Sequence, residues 1–278
     1  MILSVASGKG GTGKTTVAVG MALSLENVQL LDCDVEEPNV HILLHPEINE
    51  TRAVNVPVPV VDEKLCDYCG KCSEFCEYNA IVVMPNKVMT FPALCHGCGG
   101  CSIICPKSAI TEEKREIGLV KKGFAGNIEF ACGELKIGEP MADPIIKQVK
   151  SEINDKKTVI IDAPPGTSCP VITSVYGSDC CLLVTEPTPF GLHDLKLTIE
   201  MLREIKIPFG VIVNRAGIGD RKVYGYCEEE GIPILLEIPF SRRVAELYSR
   251  GIPFVNEMPE WKREFLSIFN SVEKQVGK

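Results

Sequence analysis

The fold is decided by the amino-terminal stretch, which reads Met1-Ile-Leu-Ser-Val-Ala-Ser-Gly8-Lys9-Gly10-Gly11-Thr12-Gly13-Lys14-Thr15-Thr16. It begins as an apolar strand, Ile2 to Ala6, and continues as a glycine-rich loop of the pattern G-x-x-x-x-G-K-[ST]. Apolar residues at helical spacing follow the loop: Val17, Val19, Met21, Leu23 and Leu25. A strand, this loop and a helix, in that order, predict a P-loop that binds nucleotide phosphates. The agreement of all three disfavours a glycine-rich turn without a ligand.

The residue types in the loop suit phosphate chemistry. Glycines let backbone N–H groups wrap the phosphates at a helix N-terminus, where the helix dipole favours anions. We expect Lys14 to reach the β- and γ-phosphates and Thr15 to ligate Mg²⁺. The predicted nucleotide-binding residues of the loop are Gly8, Lys9, Gly10, Gly11, Thr12, Gly13, Lys14, Thr15 and Thr16.

Two further apolar strands end in carboxylates. Val28 to Leu31 leads into Asp32-Cys33-Asp34, and Thr158 to Ile161 leads into Asp162-Ala-Pro-Pro-Gly166. A carboxylate at the end of a buried strand is where a Walker B residue holds Mg²⁺, and Asp162 fits that role. Gly166 is expected to contact the γ-phosphate as part of switch II.

The loop, with its second lysine at Lys9, resembles that of the MinD/ParA/Mrp family of P-loop ATPases, which reads K-G-G-x-G-K-[ST]. The resemblance implies that the chain binds ATP or ADP, and that Lys9 reaches the nucleotide of a partner subunit in an ATP-dependent homodimer. It also implies that Asp34 orients the attacking water, as a catalytic residue beside Lys9 and Lys14, and that Asp32 lies near Mg²⁺. The alternative is that Lys9 is an ordinary surface lysine.

Two further apolar strands are predicted after Asp162. Cys181 to Thr185 and Phe209 to Val213 are apolar, and Asn214 follows the second strand. The resemblance implies that Asn214 reads the adenine base, although an asparagine there could also cap a turn. Strands alternating with helices predict an α/β fold with a mainly parallel, doubly wound sheet and helices on both faces. The site should lie at the carboxyl ends of the strands.

Eight of the 14 cysteines fall between positions 66 and 105 in two runs of the form C-x₂-C-x₂-C-x₃-C. Bacterial two-cluster ferredoxins have this spacing, and the fourth cysteine of each run there ligates the other cluster. One [4Fe–4S] cluster is therefore expected on Cys66, Cys69, Cys72 and Cys105, and a second on Cys95, Cys98, Cys101 and Cys76. Zinc sites use paired knuckles with four ligands per metal, so zinc is disfavoured, and so is a disulfide scaffold.

The cysteine runs divide the predicted P-loop domain. We expect residues 58–112 to form a small α+β ferredoxin-like insert, and residues 1–57 and 113–278 to form a discontinuous ATPase domain. This arrangement resembles MinD-superfamily ATPases with an inserted ferredoxin domain.

Two cysteines outside the runs have a separate resemblance. Cys132 precedes the Asp162 strand, and Cys169 follows the Gly166 segment. The nitrogenase iron protein and its relatives place a pair of cysteines similarly and bind one cluster between subunits. The resemblance suggests a metal or cluster between Cys132 and Cys169 of two subunits. The alternative is two structural cysteines.

The net charge and the apolar pattern of the chain limit the kinds of partner that it is expected to bind. A formal charge of −8 disfavours general nucleic-acid binding, which needs a basic face. No apolar run is long enough to span a membrane, and no basic segment precedes the first strand, so a cytoplasmic protein is expected. The carboxyl-terminal residues Trp261, Phe265, Ile268, Phe269 and Val272 have helical spacing and predict a last helix docked on the core.

Three functions remain open from the sequence. The sequence ranks first an ATP-gated electron-transfer protein that works with a redox partner. The alternative is an iron–sulfur cluster carrier of the Mrp type, which delivers clusters to an acceptor protein. The third is a positioning ATPase like MinD or ParA, which the acidic charge disfavours.

Overall fold

The computed structural model describes residues 1–276. Its strands are β1 Ile2–Ala6, β2 Val28–Asp32, β3 Glu47–Val61, β4 Ile81–Met84, β5 Lys87–Thr90, β6 Ile110–Ala125, β7 Ile128–Leu135, β8 Thr158–Asp162, β9 Cys180–Thr185, β10 Phe209–Ala216 and β11 Ile234–Pro239. Its α-helices are α1 Lys14–Ala22, α2 Val40–Leu44, α3 Lys71–Phe75, α4 Gly100–Ile104, α5 Asp143–Lys150, α6 Cys169–Val175, α7 Pro189–Glu204, α8 Lys222–Glu229, α9 Arg242–Ser249, α10 Phe254–Glu257 and α11 Glu260–Val276. Among these described helices, none is long and apolar enough to cross a membrane.

The large sheet has the strand order β11-β10-β9-β1-β8-β2-β7-β6-β3. The pairs from β11 to β7 are all parallel, which confirms the predicted mainly parallel α/β fold. The register sets Asp162 beside both Val5 and Asp32, so the predicted acidic residues meet next to the strand that feeds the glycine-rich loop. The five strands predicted from apolar runs are all present.

The parallel strands are covered on both faces. Along β1 and β9, Leu3, Val5 and Leu182 belong to one apolar core, whereas Ala6 and Leu183 belong to the other. This alternation follows from the two-residue period of a strand. The first core packs α1 and α11 against the sheet, and the second packs α6, α7 and α8.

The carboxyl-terminal helix α11 is docked on the core, as its apolar spacing predicts. Its residues Phe265, Ile268 and Val272 are buried in the first core. Gly20 of α1 allows the close approach, because a Cβ there would lie 2.6 Å from the Phe265 ring. The last two residues of the predicted ATPase domain, 277 and 278, lie outside the described residues.

The chain divides into two compact units. The first comprises Met1–Thr51, Val120–Glu134 and Ile145–Lys278, and the second comprises Arg52–Leu119 and Leu135–Pro144. The second unit is wider than the stretch 58–112 expected from the cysteine runs, because it also takes in parts of β3 and β6 and the segment after β7. Those residues carry no cysteine that would mark them in the sequence.

The second unit contains a structural repeat of 29 residues. Cys66, Cys69, Cys72 and Cys76 recur as Cys95, Cys98, Cys101 and Cys105, and α3 recurs as α4. Left-handed backbone conformations recur at the same interval, with φ of 57° and 66° at Tyr68 and Gly97 and of 51° and 49° at Asn79 and Ser108. The hairpin of β4 and β5 follows the first copy, and β6 follows the second.

Candidate functional site

The glycine-rich loop has the geometry of a phosphate cradle. It joins β1 to α1, and its last residue before the helix, Gly13, has φ of 95°. This left-handed conformation suits glycine, and a Cβ at Gly13 would also collide with the side-chain amide of Asn214. Lys14 and Thr15 begin the helix, and both are buried. The free backbone N–H groups at this helix N-terminus are available to an anion.

Thr15 and Asp162 form a position suited to Mg²⁺. The Thr15 hydroxyl donates a hydrogen bond to Asp162 Oδ2 at 2.6 Å. The other oxygen, Asp162 Oδ1, is buried and has no hydrogen-bond partner among the described residues. Burial raises the pKa of Asp162, and nearby Lys14 opposes that shift. A buried carboxylate oxygen without a partner, next to a threonine hydroxyl, is a donor set that fits Mg²⁺.

Asp32 lies beside Asp162 but has a different environment. Its Oδ1 accepts the backbone N–H of Asp34, and its Oδ2 accepts those of Asn39 and Val40, all at 3.1 Å. Burial raises its pKa well above the ordinary value, and the Asp162 charge adds to the shift. Asp32 therefore holds the turn after β2 in shape through both oxygens.

That turn presents Asp34 to a cavity. Asp34 lines the cavity together with Lys14 and Thr15. Burial raises the pKa of Asp34 to about 6, although the Lys14 charge opposes the shift. At neutral pH the carboxylate is still mostly ionised and can accept a hydrogen bond from water.

The cavity has a volume of about 350 Å³ and is suited to a nucleotide. One end is formed by the loop and α1, and the other by the ends of β10 and β11 and by α9. Phe240 and Tyr248 supply aromatic surface at the second end. Asn214 lines the cavity too, and its side-chain amide donates to the Thr12 carbonyl at 2.7 Å, so it also fixes the loop. Gly166 donates its backbone N–H to the Ser7 carbonyl at 2.9 Å.

Lys9 is held within its own chain by an acidic residue that the sequence did not single out. Its Nζ lies 2.9 Å from Glu186 Oε1, and Arg215 Nη1 lies 2.8 Å from Glu186 Oε2. Arg215 also donates to the Gly11 carbonyl at 3.3 Å. Glu186 directly follows β9, and Arg215 is the second-last residue of β10, so their sequence signal was only their place near the end of a buried strand.

Around the first cavity of the second unit lie the four cysteines assigned to one cluster. Cys66, Cys69, Cys72 and Cys105 line it, together with the apolar residues Val61, Val83, Val88 and Ile110. The backbone N–H of Tyr68 donates to Cys66 Sγ at 3.4 Å, and that of Ala109 donates to Cys105 Sγ at 3.3 Å. The fourth cysteine of the second run thus joins the first three of the first run.

The second cavity repeats this arrangement with the other four cysteines. Cys76, Cys95, Cys98 and Cys101 line it. The equivalent N–H···S bonds run from Gly97 to Cys95 at 3.4 Å and from Ala80 to Cys76 at 3.3 Å.

These donor sets fit [4Fe–4S] clusters. Each quartet offers four thiols around a common space, and backbone N–H groups are aimed at sulfur, as in cluster-binding loops. Within residues 1–276, no three His, Cys, Asp or Glu side chains are grouped to hold a single metal ion. A cubane does not require such a group, because each iron takes one thiolate.

Cys132 and Cys169 are not brought together within the chain. Cys132 is buried in the first core, and burial raises the pKa of its thiol to about 12. Cys169 is exposed and begins α6, whose Val171 and Val175 pack on the opposite face of the sheet. A metal shared between subunits by these residues stays a prediction, and it would require Cys132 to become accessible and deprotonated.

Comparison with known proteins adds independent information on the family. The family model of the CobQ/CobB/MinD/ParA nucleotide binding domain, CbiA, matches residues 3–254. The chain is 34% identical over 267 residues to the uncharacterized protein MJ0579 of Methanocaldococcus jannaschii, covering 92% of this chain and 91% of the relative. It is 26% identical to the iron-sulfur cluster carrier protein of Pyrococcus abyssi, covering 91% of this chain and 78% of the relative.

Among solved structures, the septum site-determining protein MinD complexed with Mg-ADP from Pyrococcus horikoshii has a similar fold. The TM-score is 0.61 at 20% identity, and the match covers 99% of this chain and 97% of the other. At that identity the match supports the fold of the nucleotide-binding unit and nothing finer.

Proposed function

Because this chain belongs to the CobQ/CobB/MinD/ParA nucleotide-binding domain family, we propose that it is an ATPase that carries iron–sulfur clusters. In this proposal the first unit binds and hydrolyses MgATP. The second unit is a ferredoxin-like insert that binds two [4Fe–4S] clusters, and the partner is an apoprotein that accepts a cluster. The carrier function, rather than the electron-transfer function ranked first from sequence, takes precedence because named relatives are iron-sulfur cluster carrier proteins.

The observation that carries the proposal is the separation of eight cysteines into two quartets. Each quartet combines three cysteines of one run with the fourth cysteine of the other run around one cavity. The N–H···S bonds are the same in both. A fold that needed these cysteines only for packing would not arrange two equivalent sets of thiols, each with one exposed member, around cavities.

The residues of the first unit have defined tasks in ATP hydrolysis. Lys14 and the loop N–H groups bind the phosphates, and Thr15 and Asp162 hold Mg²⁺. Asp34, a carboxylate on the cavity wall, orients the attacking water. Asp32 keeps the Asp34 turn in position through its three backbone hydrogen bonds.

Lys9 is assigned to the partner subunit's nucleotide in an ATP-dependent homodimer. Its side chain is one-third exposed, and a single ion pair to Glu186 holds it. An ion pair of this exposure contributes about 1 kcal/mol or less, so it can be exchanged for a phosphate contact.

Cluster transfer to an apo-acceptor tests the carrier function. The full chain is reconstituted without oxygen, freed of excess iron, and mixed with an apo-ferredoxin, with and without MgATP. We expect iron and sulfide to leave the chain and appear in the acceptor in a ratio of one to one. The Cys69→Ser, Cys98→Ser double variant is the matched control, because it removes one exposed thiol from each quartet.

Electron transfer is the second candidate, supported by the ferredoxin-type cysteine spacing. For the same experiment, electron transfer predicts that iron and sulfide stay on the chain. If the reduced chain reduces a holo-ferredoxin while its own iron content stays constant, and no acceptor gains a cluster, the carrier proposal is wrong and the electron-transfer function replaces it.

A further inference from the structure

The 29-residue repeat allows the two quartets to be compared position by position. We name them the Cys66 quartet, which is Cys66, Cys69, Cys72 and Cys105, and the Cys95 quartet, which is Cys95, Cys98, Cys101 and Cys76. The thiols and their N–H donors are equivalent. The residues around them are not, and several of the differences occur at positions that the repeat relates.

A different pair of side chains lies at the rim of each cavity. At the Cys66 quartet, Asp67 and Lys107 form a loose ion pair with an N···O distance of 3.9 Å. The repeat relates Asp67 to His96 and Lys107 to Tyr78. At the Cys95 quartet, these two rings stack in parallel with centroids 3.5 Å apart and an interplanar angle of 8°.

The walls differ in the same way. Val83 and Val88 of the β4–β5 hairpin line the Cys66 quartet, and they pack in an apolar cluster that includes Cys72 and Cys105. The position related to Val83 by the repeat is Glu112, which lines the Cys95 quartet. Glu74 and Glu77 also line that cavity, so three carboxylates lie in its wall beside apolar residues such as Phe75 and Ile81, whereas the charged residues at the first cavity are Asp67, Lys71 and Lys107.

The space around the thiols also differs between the two quartets. The cavity at the Cys66 quartet has a volume of about 10 Å³, and that at the Cys95 quartet about 450 Å³. A closed surround excludes solvent and competing ligands from a metal site, and an open one admits them. Each quartet has one exposed thiol, Cys69 or Cys98, but the larger space at the Cys95 quartet gives a chelator or an acceptor thiol more room to approach.

We propose that the two quartets have different functions: the Cys95 quartet holds the cluster that is exchanged with acceptors, and the Cys66 quartet holds a resident cluster. The Tyr78–His96 stack is the gate of the exchangeable site, because it spans the rim between the two loops that supply Cys76 and Cys95. This proposal rests on the proposed carrier function and specifies which site of the chain performs it.

The exchange is a ligand substitution without net oxidation or reduction. Four Fe–Sγ bonds to the Cys95 quartet break as four Fe–S bonds to acceptor thiolates form. The core keeps its charge, and the released cysteine thiolates take up protons from solvent while the acceptor thiols lose theirs.

Release of iron to a chelator tests the inequivalence without any acceptor protein. The full chain, loaded with both clusters, is mixed with a ferrous chelator under reducing conditions, and bound iron and the cluster absorbance are followed. We expect two phases of equal amplitude whose rates differ by about tenfold or more, because access through the surround governs ligand exchange. Cys98→Ser should remove the fast phase, and Cys69→Ser, its equivalent in the repeat, should remove the slow phase.

Substitutions of Tyr78 and His96, with controls at the positions that the repeat relates to them, test whether the stack acts as a gate. Tyr78→Ala and His96→Ala should speed the fast phase and leave the slow phase unchanged. Lys107→Ala and Asp67→Ala, at the related positions, should leave the fast phase unchanged. Iron content after loading establishes that each variant still binds clusters.

Several outcomes would overturn the inference: a single phase, a fast phase that survives Cys98→Ser but not Cys69→Ser, or equal effects of the Tyr78 and Lys107 variants. Two phases assigned as expected, but without delivery to any apo-acceptor, would uphold the inequivalent sites and refute the carrier function. Delivery from both quartets at one rate would uphold the carrier function and refute this inference.

Discussion

Glu186 is the residue on which the charges around the phosphate loop converge. It pairs with Lys9 through one oxygen and with Arg215 through the other. Burial alone would raise the pKa of this carboxyl, but the hydrogen bond from Lys9 and the charge of Arg215 outweigh burial and lower it. The ionised carboxylate thus ties the second loop lysine to the end of β10 within one chain.

Replacement of Glu186 tests whether this pair competes with dimer formation. In Glu186→Gln, Lys9 loses its partner within the chain and becomes free to contact a second subunit's nucleotide. We expect the dissociation constant of the ATP-bound dimer to fall by up to about fivefold, since a partly exposed pair contributes about 1 kcal/mol or less. Sedimentation equilibrium with a non-hydrolysable ATP analogue measures this change.

The control for that experiment is Glu230→Gln, which removes an exposed ion pair to Arg203 in the same unit. It should leave the dimer unchanged. Weaker or unaltered dimerisation of Glu186→Gln would show that the Lys9–Glu186 pair does not oppose assembly. Lys9→Ala should abolish the ATP dependence in either background.

Gly13 gives a second test at the residue scale. Its φ of 95° disfavours any other residue, and an added Cβ would displace the Asn214 amide from the Thr12 carbonyl. We expect Gly13→Ala to weaken MgADP binding by about 5- to 150-fold, because strain of this kind costs about 1–3 kcal/mol. Titration calorimetry measures the affinity.

Gly225→Ala is the matched control for Gly13→Ala. Gly225 lies in α8, where an added Cβ would meet no other part of the protein within 4 Å apart from its chain neighbours and the backbone of its own helix. The control should bind MgADP as the native chain does. Native-like affinity of Gly13→Ala would mean that the loop tolerates the displacement of Asn214.

At the scale of elements, α11 shows how a surface helix is fixed to a parallel sheet. The ring of Phe265 is fully buried and packs edge-on against Phe254, with the ring centroids 6.1 Å apart. It lies over Gly20 of α1, the helix that begins with Lys14. The last helix therefore supports the helix that carries the proposed phosphate site.

Phe265→Ala should destabilise the first unit by about 3–5 kcal/mol, the usual cost of emptying a buried aromatic site. The neighbouring Leu266 is 42% exposed, so Leu266→Ala should cost less than about 1 kcal/mol. Urea denaturation followed by circular dichroism gives both values. Similar midpoints for the two variants would contradict the docking of α11 through Phe265.

On the scale of the whole molecule, the residues proposed to bind nucleotide and the cysteine quartets belong to different compact units. Each site draws all of its residues from one unit. Nucleotide binding should therefore not require bound clusters, and cluster binding should not require nucleotide, even if ATP hydrolysis is coupled to cluster transfer.

Two variants test this independence. Lys14→Ala should lose MgADP affinity and keep the native iron content after reconstitution. The Cys69→Ser, Cys98→Ser double variant should lose iron and keep the native MgADP affinity. Iron analysis and titration calorimetry on each protein provide both measurements. Loss of iron in Lys14→Ala would show that the two sites depend on each other for binding.

Much of the fold was predictable because its signals are local. The strand–loop–helix around Lys14 is contiguous in the chain, and the five apolar strands match the observed β1, β2, β8, β9 and β10. The extra residues of the second unit were not predictable, because parts of β3 and β6 carry no local signature of it. Glu186 and Arg215 were missed because their pairing with the loop joins residues about 200 positions apart.

The sequence by itself determined the family, the parallel sheet and the identity of the residues around each site, since glycine loops and cysteine spacings act through neighbouring residues. Only the tertiary structure decided how those residues are paired. It buried Cys132 away from Cys169, used both oxygens of Asp32 in a turn, and tied Lys9 to Glu186. It also made two quartets with the same spacing unequal, because the walls and rims come from residues outside the cysteine pattern.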